Sequence, residues 1–408
     1  MAYTTIEGVR VWGTPDEGAV AQALTCAETG NVVQTLLMAD HHKGYSQPIG
    51  GVVVYDGQIS PSGVGYDIGC GNKAVRTNLL ASEIKPKIAA IMDTIAQRIS
   101  FGVGRVNDVQ VDHELFDDPD WAVYKAIGKQ EHDKLFSLAR TQLGTVGSGN
   151  HFVDLFEEQA TGRLWVANHF GSRGFGHKTA SGFLNLAVGR EFLGSAPGEK
   201  MDQPPTLLGI DSELGDMYYR AMRLAGRYAY AGRDYVMNQV LSILGAEADM
   251  EVHNHHNYAW KEQHFGKETI VVRKGATPSA PGQLGFIGGS MGDISVIVRG
   301  KATEENRDAC YSTVHGAGRV MSRTAAAGKM NWKTRRRSGG LISPQQMKQA
   351  VDEFGVVLRG AGTDESPFVY RKLQDVLDAH RETIDVLHVL KPFGVCMAGA
   401  DEFDPYKD

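Results

Sequence analysis

Three histidines crowd one short stretch, EVHNHHNYAW at residues 251–260, as His253, His255 and His256, with Asn254 and Asn257 among them. Such a cluster is either a solvated tract or part of a metal site, and the rest of the chain has to separate the two. GVGYDIGCGNK (63–73) sets Asp67 and Cys70 three apart in a glycine-rich turn, where a carboxylate and a thiolate can converge on one cation. Asp-x-x-Cys alone says little, and buried packing is the commoner role for a lone cysteine such as Cys70. Two more segments pair asparagine with histidine beside glycines: GTVGSGNHF (144–152) with Asn150 and His151, and ANHFGSRGFGH (167–177) with Asn168 and His169. Each histidine by itself is more often structural than ligating. Three Asn/His pairs with an Asp/Cys pair form a mixed N, O and S donor set. That set suits a borderline divalent ion such as manganese or zinc, including two ions bridged by the thiolate.

STVHGAGRVMSR (312–323) differs in kind. His315 precedes Gly316 and Gly318, and Arg319 and Arg323 follow one and two helical turns on. A neutral imidazole can attack phosphorus to form a phosphoramidate while guanidinium groups stabilise the developing charge. The plainer alternative is a capped helix start whose basic residues face solvent. Upstream, residues 273–295 supply Arg273, Lys274, Ser290 and Ser295 among many glycines. Such a loop can cradle phosphates through backbone N–H groups, although ordinary loops share the composition. GSRGFGHKT (171–179) narrowly misses the phosphate-loop pattern, because His177 displaces Lys178 by one position and moves the ammonium off the phosphates. An ordinary P-loop is not expected there, although its glycines and Arg173 remain available to phosphate in another way.

These residues need turns and strand ends to hold them. The 408 residues are 42% hydrophobic and 22% charged, as in a globular protein with a full core. No run reaches the roughly 20 apolar residues of a membrane helix, and the opening MAYTTIEGVRVWGTP lacks a secretory pattern. A cytoplasmic protein without membrane attachment is expected. Cys26, Cys70, Cys310 and Cys396 are scattered without a CxxC pair, so each is core filler or a ligand. A net charge of −6 argues against a bulk nucleic-acid coat but allows a local basic groove. Helical spacing marks 130–141 and 213–245, the latter as one helix or as two interrupted at Gly226 and Gly232. Capped or periodic helices are predicted after Ser343 and over LQDVLDAHRETIDVL (373–387). Strand-like runs fall at 51–54, 163–168, 269–275 and 294–300. Helices and strands mix without a βαβ rhythm, which predicts an α+β fold in a single domain over 1–408, with a short polar tail from about 400. The polar, basic stretch 327–340 reads as an exposed loop.

PIGGVV, GVGYDIGCG, GSGNHF, HFGSRGFGH, HHNYAW, RKGA, GSMG and HGAGRVMSR occur in this order from residue 48 to 323. Together they resemble the RtcB-type RNA ligases over most of the chain. The resemblance implies the family's own α+β fold with a central metal-lined cleft, two Mn2+ ions, and GTP. It implies an RNA ligase that joins a 3′-phosphate or 2′,3′-cyclic phosphate end to a 5′-hydroxyl end, in RNA repair or tRNA splicing. Cys70 would bridge the ions, with Asp67 and His151 completing one site and His169 and His256 the other. His315 would accept GMP, with Asp40 orienting it and Arg319 and Arg323 beside it. Asn150, Asn257, Ser290, Ser295 and Tyr370 match nucleotide-contacting positions, while Arg173, Lys274 and Arg323 match positions that handle phosphates or RNA backbone. His255 would support a ligand and His253 would be a bystander.

The chain departs from the family pattern in two places. Asp154 stands where a glutamate is usual, four residues after Asn150, and so reaches less far toward guanine. The usual terminal Val-Lys-Gly corresponds to VCMAG (395–399), with Ala398 in the place of the lysine. Lys391 as a substitute, or a relaxed nucleotide preference, would follow. A monomer is expected, with an activating protein as a candidate partner. Lys333, Arg335, Arg336 and Arg337 either contact RNA backbone or are simply solvated. A paralogue that nucleotidylates or processes ends with weak sealing, and a catalytically idle RNA-binding protein, are the alternative functions.

Overall fold

Runs of β-branched residues buried on both faces make the central strands. Val32–His42, Ile49–Tyr55 and Lys267–Lys274 are almost wholly inaccessible along their buried halves, as expected where both faces of a sheet are covered. The computed structural model describes residues 3–107, 109–195, 201–331, 336–400 and 402. Among these, one sheet runs Tyr3–Ile6, Val9–Trp12, Val32–His42, Ile49–Tyr55, Lys267–Lys274, Asn257–His264. A second runs Ala248–His255, Gly71–Leu80, Arg163–Phe170, Phe152–Glu158, Ile384–Gly399, Ser295–Gly300, Leu284–Ile287. Val357–Ala361 joins the second sheet alongside Ile384–Gly399 in parallel. The chain leaves the second sheet at His255 and enters the first at Asn257, so His256 alone spans the junction. The expected mixed α+β architecture holds.

Residues 213–245 form one helix, Glu213–Leu244, capped by the Ser212 hydroxyl and closed by Gly245 in the left-handed region. Gly226 and Gly232 do not break it, because each lets another element come close. A Cβ on Gly226 would sit 2.7 Å from the Tyr258 ring, and one on Gly232 would sit 3.3 Å from Phe170. Arg173–Ala187 and Lys129–Gln142 cover this helix, and Tyr218, Tyr228, Phe175 and Leu135 share its core. Pro344–Phe354 carries the predicted cap as a reciprocal Ser343–Gln346 capping box. Among the described residues, no helix is long and apolar enough to cross a membrane.

Two expected elements differ. The helix predicted over 373–387 stops at Ala379, and Ile384–Gly399 is a strand. His380 and Thr383 turn the chain through their hydrogen bonds, and the following Ile384, Val386 and Val389 favour a strand. The stretch 327–340 is not all loop, because Lys329–Asn331 pairs with Arg336–Ser338. Lys333 and Arg335 lie outside the described residues, as does the tail apart from Ala400 and Glu402.

Candidate metal-lined active site

One hydrogen-bonded ladder gathers the thiol and the imidazoles. Gly71, just after Cys70, pairs with Phe170 and with His255, and Asn72 pairs with His169. His169 also faces Phe152, the neighbour of His151. The ladder therefore delivers Cys70, His151, His169 and His256 to one end of the sheet. Glycine is required at 71, since a Cβ there would fall 2.0 Å from the Asn254 carbonyl oxygen. Cys70 Sγ lies 3.2 Å from His169 Nε2 and 3.7 Å from His151 Nε2. His169 Nε2 lies 3.3 Å from His256 Nε2, and His151 Nε2 lies 3.1 Å from Asp67 Oδ2. Two donor sets result, Cys70–His169–His256 and Asp67–Cys70–His151, and they share the thiol.

The donor chemistry fits divalent cations. The His169 Nδ1–H donates to the Asn150 carbonyl at 3.0 Å, which leaves the Nε2 lone pair facing the cluster. Burial, then the His151 charge, holds His169 down to about 3, and burial also holds His256 well below the ordinary imidazole range. Both rings are neutral and able to ligate. Burial and the Asp67 charge push the Cys70 thiol well up, an effect that a cation at this point would reverse. Burial raises Asp67, but its hydrogen bond and charge interaction with His151 outweigh that and leave it below its ordinary value. Gly171 makes room for this carboxylate, since a Cβ would lie 2.2 Å from Asp67 Oδ1. In the near-miss phosphate loop, that glycine accommodates an acid.

His315 follows the short strand Ser312–Val314 and points at the same cavity, which encloses about 730 Å3. Its Nδ1–H donates to Asp40 Oδ2 at 2.6 Å, leaving Nε2 for the cavity. The same carboxylate oxygen accepts the backbone N–H groups of His315 and Gly316 at 2.9 and 3.2 Å. Burial pushes Asp40 up, yet the charge and hydrogen bonds of His315 outweigh it and hold the carboxyl below its ordinary value. The rings of His256 and His315 are 4.9 Å apart, so His315 adjoins the donor cluster.

Asn150, Asp154, Asn257, Lys274, Ser290 and Tyr370 line this cavity with Arg319 and Arg323. Asn257 Oδ1 accepts the Gly275 N–H at 2.7 Å, and Lys274 Nζ donates to the Tyr45 carbonyl at 2.5 Å. Ser295 instead accepts the Gly289 N–H through its hydroxyl at 3.1 Å. Arg173 donates to Thr145 Oγ1 and the Gly102 carbonyl, and its charge reaches Asp67. Neither of these last two side chains lines the cavity. Lys391 does not replace a base-binding lysine: its ammonium lies over the Phe354 ring at 4.9 Å, away from the cavity lining.

Three residues escaped the sequence reading. Arg233, fully buried on the long helix, donates to the Gly69 and Phe170 carbonyls at 2.9 and 2.6 Å and to His253 Nε2 at 2.9 Å. It thereby ties together the segments that carry Cys70, His169 and His256. His253 serves as an acceptor for this arginine, and His255 stands 3.1 Å from its guanidinium. Asp364 and Glu365 pair with Arg323, and Glu365 also accepts from the Tyr370 hydroxyl. A single arginine within a helical pattern, and two acids in a short turn, carried no spacing signal.

Fold and site together define a mixed α and β protein with a candidate metal-binding cleft. A family model described as tRNA-splicing ligase RtcB matches residues 22–398. The RNA-splicing ligase RtcB of Escherichia coli (strain K12) is 31% identical, over 96% of this chain and 97% of its own length. The tRNA-splicing ligase RtcB of Archaeoglobus fulgidus is 32% identical, over 93% and 91%. The RNA-splicing ligase RtcB homolog 1 of Entamoeba histolytica is 28% identical, over 90% and 80%. The chain belongs to the RtcB family of RNA ligases.

Proposed function

We propose that this protein joins RNA 3′-phosphate or 2′,3′-cyclic phosphate ends to 5′-hydroxyl ends through a GMP carried on His315. The observation that carries the reading is the Asp40–His315 pair, 2.6 Å apart, set beside two donor sets that share Cys70. An RNA 3′-phosphate is a poor electrophile without a leaving group, and capping it with GMP creates one. Asp40 holds the Nδ1 proton, so the Nε2 lone pair attacks the α-phosphorus of GTP. The N–P bond forms, the α–β phosphoanhydride bond breaks, and pyrophosphate leaves. An oxygen of the RNA 3′-phosphate then takes the GMP from His315. The 5′-hydroxyl attacks that 3′-phosphorus, loses its proton, and GMP departs. A cyclic phosphate is first opened by water to the 3′-phosphate.

Asp67, Cys70, His151, His169 and His256 would hold two manganese ions, which supply Lewis acidity toward the crowded phosphates. Asn150, Asn257, Ser290, Ser295 and Tyr370 position the nucleotide, with Asp154 at its base. Lys274, Arg173, Arg319 and Arg323 offset phosphate charge. The setting is RNA repair or tRNA splicing by a cytoplasmic monomer, with an activating protein as a candidate partner. Incubation with α-labelled GTP and Mn2+ should give a covalent, acid-labile label on the protein. A label that persists in His315→Ala would exclude His315 as the acceptor.

A further inference from the structure

Once a 3′-phosphate is in hand, the attack of the 5′-hydroxyl is the step that must shed a proton. His315 attacks through a lone pair, and an RNA 3′-phosphate oxygen is already anionic, so neither needs a base. The strand Val32–His42 ends in Asp40, His41 and His42. His41 is tied elsewhere: its Nδ1–H donates to the Met38 carbonyl at 2.6 Å, and its Nε2 accepts the Asp16 N–H at 3.0 Å. His42 is half-buried and lines the cavity together with His315. Its Nδ1–H donates to the Asp40 carbonyl at 3.1 Å, and among the described residues its Nε2 has no hydrogen-bond partner. Ile49 stands opposite His42 in the adjoining strand. A Cβ on Gly275 would collide with Ile49 Cγ2 and meet His315 Cε1 at 3.1 Å, so Ile49 neighbours both histidines.

We propose that His42 is the proton acceptor of the sealing step, taking the hydrogen of the attacking 5′-hydroxyl on Nε2. The inference rests on the nucleotidyl-transfer reading above and concerns only its last step. The 5′-oxygen bonds to the 3′-phosphorus, the bond from that phosphorus to the GMP oxygen breaks, and the electron pair leaves with GMP. The hydroxyl proton passes to Nε2, and the imidazolium so formed keeps its Nδ1–H bond to the Asp40 carbonyl. Other bases along the cavity are engaged. The two donor sets are reserved for cations, and Glu365 is paired with Arg319 and Arg323. Asp16 accepts the Ala19 N–H as a helix cap. His315 faces the departing GMP, whereas in-line displacement brings the nucleophile from the opposite side. Burial holds His42 down to about 4 against the opposing Asp40 hydrogen bond, so near neutral pH the ring carries a free lone pair. Phosphate charge entering the cavity favours the imidazolium and strengthens the base.

The test uses the full chain with Mn2+, GTP and an RNA pair ending in 3′-phosphate and 5′-hydroxyl, which keeps the opening of a cyclic phosphate out of the measurement. His42→Gln retains a hydrogen-bonding side chain of similar reach but cannot take up the proton. Its sealing rate should fall by about 10²–10⁴. RNA capped with GMP at the 3′-phosphate should accumulate, while His315 labelling by α-labelled GTP stays within about threefold of the parent. His42→Ala should show the same split between labelling and sealing. Sealing by His42→Gln at the parent rate overturns the proposal, since hydrogen bonding alone would then suffice. Labelling that falls as far as sealing also overturns it, because His42 would then act before the hydroxyl arrives. In the first case the parent still labels and the nucleotidyl-transfer reading stands, whereas a parent that takes no label removes both.

Discussion

Asp40 and Asp154 are both buried carboxyls beside one cavity, each with one buried oxygen that lacks a hydrogen-bond partner, and they differ in what the rest of the carboxyl meets. Asp40 gathers an imidazole N–H and two backbone N–H groups on one oxygen, while its other oxygen lies beside Gly50. Asp154 has the Cys396 N–H as its hydrogen-bonding help, and its Oδ1 is buried without a partner. Burial raises both, but His315 reverses the direction at Asp40 and nothing does so at Asp154. A carboxylate with such partners orients its neighbour, whereas the single backbone donor at Asp154 does not offset its burial.

Four changes test this contrast. Cys70→Ala removes the donor common to both sets, so Mn2+ binding by calorimetry and His315 labelling should both fall below detection. Retention of two ions at unchanged affinity would remove the shared-thiol site. Asp40→Asn keeps the shape but disturbs the His315 tautomer, and single-turnover labelling should fall by about 10²–10⁴. Because Asp40 lies below its ordinary value of 3.8, its stabilisation is present above that pH and is lost as pH falls through the lowered folded value. Asp40→Asn should therefore flatten the acid limb of a stability–pH profile, and an unchanged limb would contradict the pairing.

Smaller effects fall on the supporting residues. Arg233→Lys should weaken Mn2+ binding about 10–100-fold while saturating metal restores the labelling rate. A lowered rate at saturating metal would mean that Arg233 does more than position the donors. Asp154→Asn is read through stability. Asp154 is raised, so its favourable contribution exists below about pH 3.8 and is lost as pH climbs toward the raised folded value. The variant should consequently be more stable than the parent at pH 7 and differ little from it near pH 3.5, as read by thermal melts. A gain of equal size at both would show that ionisation is not its source.

Where chemistry depended on short spacing it was legible in the chain. Asp67 and Cys70, the Asn/His pairs and His315 sit beside glycine-rich turns or at strand ends, and the ladder gathers the Cys70, His151, His169 and His256 donors at one end of the sheet. The long helix could be read, but its continuity through Gly226 and Gly232 could not, because those glycines answer to Tyr258 and Phe170 from other elements. Arg233 escaped for the same reason, since its partners lie some 20 to 164 positions away in sequence. The helix predicted over 373–387 was cut short by local hydrogen bonds of His380 and Thr383, which a periodicity cannot register.

His256 has a further consequence. As the single residue between the two sheets, its backbone N–H donates to the Cys70 carbonyl at 2.8 Å, and its carbonyl accepts the Ala276 N–H at 3.2 Å. It is a rivet through two plates. Any sliding of one sheet over the other would pull its ring from His169, and an ion gripped between those rings would resist the slide. Loading the cleft should therefore slow hydrogen exchange in strands of both sheets at once, making the ion a brace for the whole molecule.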